Sequence, residues 1–269
     1  SDHGTGTSAG SLEIAADSEV LLTGANEYTG STTVKGELTA GTSGLGGTSL
    51  LSVKSGGTYI NSGANTVGGL DVDADGTLIL SGSAGITLAI EHGDAIGSST
   101  IAGALQGSGY LSLNAGTLQV DANTGTNWQG NLALGTSATK AVLNLTGKNA
   151  LGNGTVTFVN NDSEIHLLHS GALAFGNAVS GSGSIYVDLA GNDFTFITNT
   201  QADLTSGSHL YLTDAGFSLD SGLNSTVAQK TEIVLGSSST LSSSGEADRL
   251  VWGLDLTSGG TIDLGEIDG

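Results

Sequence analysis

Three aspartates at alternate positions come closest to a metal site in this sequence. Asp71, Asp73 and Asp75 precede Gly76 in the order D-x-D-x-D-G, with which a calcium-binding loop begins. Such a loop ends in a bidentate acid at its twelfth position, where this chain has Gly82. Calcium is therefore the metal ion that we consider for these carboxylates, and we expect no other cofactor.

The same stretch also fits an ordinary β-strand. In that interpretation Leu70, Val72 and Ala74 point inward, and the three aspartates point to solvent from the opposite face. Carboxylates on one strand face repel one another unless they are hydrated or neutralised. The sequence leaves both interpretations open.

A second group of titratable side chains lies at Glu164, His166 and His169. Residues two apart share a strand face, so Glu164 and His166 are expected together and His169 on the opposite face. A zinc site would need further ligands from other parts of the chain. We therefore interpret this group as polar surface residues. For His209 the sequence indicates no partner.

The composition excludes several classes of function. The 269 residues include 26 acidic and 6 basic ones, for a formal net charge of -20. Nucleic acids and other polyanions need clustered Lys and Arg, and the few basic residues here are scattered. Cysteine is absent, which excludes a disulfide framework and suits a protein that crosses a bacterial periplasm unfolded. No signal peptide opens the sequence, and we expect Ser1 to be the processed start of a fragment.

The elements that hold these side chains are predicted to be short β-strands. Apolar residues alternate with polar ones, and turn sequences separate the runs, among them DADG at 73–76 and AGND at 190–193. No stretch has an apolar stripe at helical spacing, so almost no helix is expected. The residues predicted to share a strand face are Leu78 and Leu80; Ile86, Leu88 and Ile90; Leu111 and Leu113; Leu118 and Val120; Leu132 and Leu134; Ile185, Val187 and Leu189; Phe194 and Phe196; and Ile262 and Leu264.

A large unit occurs twice along the chain. Three motifs recur in the same order, namely an Asn-aromatic-Gly step at 26–30 and 127–130, a Leu-Gly step within 45–60 and 151–167, and a GSG segment within 104–120 and 178–196. We therefore divide the chain into repeat copies at about 26–120 and 127–197, followed by divergent C-terminal coils at 198–269.

Such short, sparsely apolar strands cannot bury a face alone, but stacked coils bury one continuous apolar column. The absence of proline agrees with this arrangement, because nearly every backbone N–H in a parallel ladder is donated to the next coil. The sequence therefore predicts an all-β fold, a parallel β-solenoid (parallel β-helix), as a single domain over residues 1–269.

The stretch TGANEYTGSTTV at 23–34, followed by LGGTSLLSVKSGGTY, resembles the passenger-associated repeat of bacterial autotransporter adhesins of the AIDA-I and antigen 43 kind. The second copy departs from the motif, with Trp128 in place of tyrosine and NND at 160–162 in place of SGG at 55–57. The resemblance covers residues 10–200 best. It implies a right-handed parallel β-helix, fusion in the full-length protein to an outer-membrane β-barrel translocator, and a passenger anchored at or released from the bacterial cell surface.

The resemblance also implies a role in adhesion, through bacterial aggregation and biofilm formation or through attachment to a host. The expected partners are a second copy on another cell, an extracellular-matrix protein or a glycan. Tyr110, Tyr186 and Tyr211 lie on strand faces opposite the leucine rows, so they are candidate contact residues. The aromatic residues of the repeat motif are instead expected to pack between coils, and these are Tyr28, Tyr59 and Trp128.

Two alternatives to an adhesin remain open. A carbohydrate-active β-helix enzyme, a lyase or glycosidase, could use the carboxylates of Asp188 and Asp193 or those of Asp71 to Asp75, but the chain has a single arginine, Arg249. A passive spacer needs no site at all. A serine protease is not expected, because the nearest string to Gly-Asp-Ser-Gly is LDSG at 219–222. We therefore expect a protein that is not an enzyme.

Overall fold

The chain folds into a stack of parallel β-strands. Every regular element among the described residues is a β-strand. The described residues accordingly include no helix that is long and apolar enough to span a membrane. The predicted all-β parallel β-solenoid is confirmed, while its right-handed winding stays a prediction. The computed structural model describes residues 9–81, 87–91, 97–121, 126–196, 203–204, 208–218, 231–242, 253–255 and 261–263.

The strands form three sheets, numbered here 1 to 3. Sheet 1 has 15 strands: β1 Leu12–Ile14, β3 Thr32–Val34, β5 Leu51–Val53, β8 Leu70–Val72, β11 Ser98–Ile101, β14 Gly116–Val120, β17 Ala141–Leu145, β19 Glu164–Leu168, β20 Leu173–Phe175, β22 Ser184–Phe196, β24 Ser208–Ser218, β25 Thr231–Leu235, β26 Thr240–Ser242, β27 Gly253–Asp255 and β28 Thr261–Asp263. Sheet 2 has six: β2 Glu19–Leu22, β4 Glu37–Ala40, β6 Thr58–Asn61, β9 Thr77–Leu80, β12 Ala104–Gly107 and β15 Asn127–Trp128. Sheet 3 has seven: β7 Asn65–Val67, β10 Thr87–Ile90, β13 Tyr110–Leu113, β16 Asn131–Leu134, β18 Thr155–Phe158, β21 Val179–Gly181 and β23 Asp203–Leu204.

From β6 to β16 the chain visits the three sheets in turn, and one circuit makes one coil; the described strands before β6 lie on sheets 1 and 2, and those after β16 on sheets 1 and 3. In the middle of the solenoid β8, β9 and β10 lie on sheets 1, 2 and 3, and β11 then returns to sheet 1 beside β8. Asp71, for example, pairs with Ser52 on the preceding coil and with Thr100 on the following one. Because paired strands lie about 4.8 Å apart, side chains at the same register form columns along the solenoid.

The apolar face of each strand points into the solenoid and forms its core. The predicted faces are confirmed where the side chains are described, since the residues that follow are at most 1% exposed: Leu78, Leu80, Leu88, Ile90, Leu111, Leu113, Leu118, Val120, Leu132, Leu134, Ile185, Val187, Leu189 and Phe194. Burying one such side chain contributes about 1.5–3 kcal/mol relative to leaving it in water. The side chains of Ile86, Phe196, Ile262 and Leu264 lie outside the described part of the structure.

The aspartate stretch does not continue as one strand. β8 ends at Val72, and the amide of Gly76 donates to the carbonyl of Asp73 at 2.8 Å, which closes a turn. Ala74 lies in this turn and is exposed, so the prediction that it points inward is wrong. Leu70 and Val72 are buried as predicted.

The AGND sequence at 190–193 is not a turn between two strands, as the sequence had suggested. It lies inside β22, whose register with β24 shifts between Asp188 and Asn192. Ala190 and Gly191 both have positive φ there, at 51° and 82°. The chain therefore turns the corner through a bulge, and the pairing with the next coil resumes after it.

The Leu-Gly step has the same geometry in both copies of the sequence motif. The Gly47 amide donates to the Tyr28 carbonyl at 3.0 Å, and the Asn153 amide donates to the Trp128 carbonyl at 2.9 Å. The glycine of each step has a positive φ, 58° at Gly46 and 55° at Gly152. A residue with a Cβ atom would be strained in this conformation, which explains the recurrence of glycine.

The aromatic residues of the motif pack between coils. Trp128 and Tyr59 are fully buried, as predicted, and the Trp128 indole donates to the carbonyl of Gly109 at 3.0 Å. The Tyr59 hydroxyl donates to the side chain of Asn61 at 2.9 Å, so its polar atom is satisfied inside the core. Tyr28 is half-buried, and its hydroxyl lies 3.0 Å from that of Thr32.

Candidate binding surface

Two of the three candidate tyrosines lie side by side on the outer face of sheet 1. Tyr186 on β22 pairs in register with Tyr211 on β24. Their rings stack with centroids 4.4 Å apart and an interplanar angle of 5°. This separation matches the spacing of neighbouring strands, so the parallel register by itself brings the rings into contact.

His166 extends this stack by one coil. It pairs in register with Tyr186, and the two ring centroids are 4.7 Å apart at an angle of 41°. We name His166, Tyr186 and Tyr211 the aromatic column. Because Tyr186 lies between two rings, it presents its hydroxyl and ring edge to solvent rather than a ring face.

Charged groups surround the His166 end of the column. The His166 Nε2 atom lies 2.9 Å from Glu164 Oε2, and the Lys140 ammonium lies 3.4 Å from Glu164 Oε1. The sequence prediction that Glu164 and His166 share a strand face is thereby confirmed. Partial burial pushes the pKa of Glu164 upward, but the His166 hydrogen bond and the nearby Lys140 charge outweigh it, so the pKa lies below its ordinary value.

His169 does not lie on an opposite strand face, because β19 ends at Leu168. Its Nδ1 atom is 3.3 Å from the carbonyl of Thr146, and it lines an outer depression together with Asp188. The alternation that assigned it to the other face therefore ends before this residue.

A second column runs beside the aromatic column. Glu164 pairs with Ser184, Ser184 with His209, and His209 with Glu232. His209 Nε2 lies 3.1 Å from Glu232 Oε2, and its ring centroid lies 5.7 Å from that of Tyr211. The short Ser184 side chain thus stands between two longer ones.

This change in side-chain length leaves an open depression of about 580 Å³, which we name the Ser184 slot. Its floor and walls are polar, and its lining residues are Lys140, Asn161, Asp162, Glu164, Ser182, Ser184, His209 and Tyr211. Burial, the Glu164 charge and Tyr211 together raise the pKa of Tyr186, so its hydroxyl stays protonated at neutral pH.

Tyr110, the third candidate, lies elsewhere. It is the first residue of β13 on sheet 3, where it pairs with Thr87, and it is 37% exposed. The structure therefore brings Tyr186 and Tyr211 together and leaves Tyr110 on a different sheet. Whether any of the three contacts a partner stays a prediction.

Two of the three aspartates contact a lysine of the preceding coil. The Lys54 ammonium lies 3.5 Å from Asp71 Oδ2 and 3.4 Å from Asp73 Oδ1, while the Ser55 hydroxyl donates to Asp75 at 3.3 Å. Within the described ranges no group of three or more His, Cys, Asp or Glu side chains is arranged to hold a metal ion. The turn at Ala74 separates Asp75 from strand β8. Calcium binding by these carboxylates stays a prediction.

The sequence analysis singled out Glu164 and Tyr211 but missed the other residues that line the Ser184 slot. His209 was assigned no partner, although its i, i+2 spacing from Tyr211 could have placed both on one face. Its pairing with Glu232 depends on the length of the intervening coil, which the alternation of apolar residues does not reveal. Lys140 and Ser184 carried no sequence signal that we can identify.

Comparisons with protein-family models, with curated proteins and with solved structures each found no match.

Proposed function

We propose that this chain is a binding segment of a bacterial cell-surface adhesin, and that it acts without catalysis. The observation that carries the proposal is the uneven outer face of sheet 1. There the aromatic column and the Ser184 slot gather aromatic, carboxylate, ammonium, imidazole and hydroxyl groups over neighbouring coils. A solenoid fixes such groups on a regular backbone, which lowers the entropy lost when a partner binds.

The placement at a cell surface is supported by the sequence motif. The Asn26-to-Gly30 and Leu45–Gly46 steps resemble the passenger-associated repeat, and the repeated Leu-Gly geometry gives these residues a structural role in stacking. By this resemblance we further propose fusion to an outer-membrane β-barrel translocator in the full-length protein. Secretion of an unfolded passenger is compatible with the lack of cysteine.

The proposed partners are a second copy on another cell or a host glycan or matrix protein. The net charge of -20 disfavours polyanions, nucleic acid included. Many copies on one cell would bind many ligands at once, so that individually weak contacts hold cells together.

The two alternatives receive less support from the surface. A spacer is expected to have an evenly polar exterior, whereas the outer face of sheet 1 combines stacked aromatic rings with a polar slot on neighbouring coils. For a lyase or glycosidase, Asp188 and Asp193 would have to act together across the bulge at Ala190 and Gly191, and the other carboxylates considered, Asp71 and Asp73, are paired with Lys54. Both alternatives stay predictions.

The proposal can be tested by displaying the segment behind a neutral stalk on bacteria that do not adhere. We expect faster sedimentation, or attachment to surfaces coated with glycan or matrix protein, than with the stalk alone. Replacing Tyr186 and Tyr211 by serine should reduce the effect, and Tyr110→Ser is the matched control on sheet 3. Equal behaviour of the displayed segment and the stalk in every assay would contradict an adhesive role and favour the spacer.

A further inference from the structure

We propose that the Ser184 slot binds a sugar unit of a neutral glycan. The inference rests on the proposed role of the solenoid as a binding surface and specifies the ligand class of one site on it.

The shape of the slot follows from the register. Ser184 is flanked in its column by Glu164 on the preceding coil and by His209 on the following one. With strands about 4.8 Å apart, the two longer side chains stand on coils about 10 Å apart, with the serine between them. The resulting volume of about 580 Å³ lies within the range of small-molecule sites and can accept a sugar ring.

The groups around the slot match the chemistry of sugar hydroxyls, each of which can donate and accept a hydrogen bond. Glu164 supplies carboxylate acceptors and Lys140 supplies ammonium donors, while Ser184 and Tyr211 contribute hydroxyls of both kinds. An apolar ligand would displace water from these groups without replacing its hydrogen bonds.

The charges favour a neutral ligand over a charged one. Asp162 and Glu164 repel an anion, as does the net charge of the chain. A cation is repelled by Lys140 and would have to compete with its ammonium group for Glu164, from which the ammonium lies 3.4 Å away. A sugar without charge avoids both penalties and keeps the Lys140–Glu164 contact intact.

The ring geometry sets the expected affinity. One face of the Tyr211 ring is covered by Tyr186, so this stack removes one of the two faces with which the ring could make the face-on contact that strong aromatic sites use. Hydrogen bonds at an open surface give weak binding, and we expect a Kd of about 1 mM for a single glycoside. Display of many copies would raise the strength of attachment.

The experiment uses the full chain labelled with fluorotyrosine and followed by fluorine NMR. The probes are the methyl glycosides of galactose, glucose, mannose and N-acetylglucosamine, with N-acetylneuraminic acid and glucosamine as charged comparisons. We expect at least one neutral glycoside to shift the Tyr211 signal saturably while the Tyr110 signal stays in place.

A pair of variants tests the location. Ser184→Gln fills the slot from an outward position and should weaken binding by at least about tenfold, or about 1.4 kcal/mol. Thr66→Gln makes a similar change at an exposed outward position on sheet 3 and should leave binding unchanged. Unchanged fluorine signals elsewhere in Ser184→Gln would show that the fold is retained.

The inference is overturned if no neutral glycoside shifts Tyr211 at about fifty times the expected Kd, if a charged sugar alone does so, or if Ser184→Gln binds like the parent. Such a result leaves the proposed function standing when displayed cells still sediment or attach. If the displayed segment does not cause adhesion but the Tyr211 signal still responds to a sugar, the adhesin proposal is contradicted and the sugar site is retained.

Discussion

Tyr186 and Tyr211 belong to successive coils, are paired in register, and stack with their ring centroids 4.4 Å apart and nearly parallel. Because the two strands are parallel and in register, both side chains leave the sheet in the same direction, and the rings meet without a special rotamer on either strand. The stack thus links coils and shapes the rim of the Ser184 slot.

The stack should appear as an energetic coupling between the two tyrosines. We expect Tyr186→Ala and Tyr211→Ala to be non-additive, with a coupling of about 0.5–1.5 kcal/mol from the ring contact. Native-state hydrogen exchange of the β22 and β24 amides measures it, because a solenoid can open locally. Tyr110→Ala combined with Tyr211→Ala is the control and should be additive within about 0.5 kcal/mol. Additivity of the first pair would mean that the stack contributes nothing.

The packing of Trp128 should make Gly154 intolerant of a side chain. A Cβ atom at Gly154 would overlap the indole ring, so Gly154→Ala should destabilise the surrounding coils by about 1–3 kcal/mol. The measurement is the exchange protection of the β18 amides. Gly24→Ala is the matched control, since no atom lies within 4 Å of the added Cβ. In a Trp128→Leu background the cost of Gly154→Ala should shrink, and an unchanged cost would contradict overlap with the ring.

The ion pairs of Glu164 should make the solenoid less stable in acid. A lowered pKa in the folded state means that the unfolded chain binds protons more readily, so stability is present above the ordinary value of 4.5 and is lost as the pH falls through the folded pKa. Glu164→Gln should therefore lose less stability than the parent between about pH 6 and about pH 3. Denaturation monitored through the β19 and β22 amides gives the comparison.

A second carboxylate variant separates this effect from net charge. Glu37→Gln removes one acid from sheet 2 and should leave the acid response of β19 and β22 as in the parent. If Glu164→Gln and Glu37→Gln respond alike, the local contacts with His166 and Lys140 are not the cause.

Removing Lys54 should expose the aspartates to divalent ions. Its ammonium lies between Asp71 and Asp73 on the next coil, and the exposed pairs contribute at most about 1 kcal/mol. In Lys54→Gln the carboxylates repel one another, so calcium should raise the melting temperature of this variant more than that of the parent. Lys35→Gln, which removes the 2.7 Å contact with Glu13, is the matched control. An equal calcium response in all three proteins would contradict this role of Lys54.

The sequence predicted the strand faces better than the contacts between coils. Alternation along one strand identified Leu78 and Leu80 as inward, because a period of two depends on local geometry alone. The stack of Tyr186 on Tyr211 depends on how many residues lie in the intervening coil. Coil length varies along the chain, so the partner of a surface residue could not be counted forward from a fixed period.

The errors lie where the backbone leaves its regular path. Ala74 was assigned to a strand interior, but the bond from Gly76 to Asp73 had already closed a turn. At Ala190 and Gly191 the turn-like composition was real, yet it formed a bulge that keeps β22 paired with the next coil. At Ala74 the turn predicted from DADG at 73–76 formed in place of a continued strand, whereas at Ala190 and Gly191 the pairing with the next coil decided the structure.

The parallel pairing of each coil with its neighbours has a mechanical consequence. A load applied along the solenoid can peel coils from one end, because each coil is held by the next rather than by the whole molecule. A released coil of about 20 residues would extend to about 65–70 Å, whereas it occupies only about 4.8 Å of the folded stack. A segment built this way would lengthen under tension in discrete steps and so dissipate a pull before it reached a bound ligand.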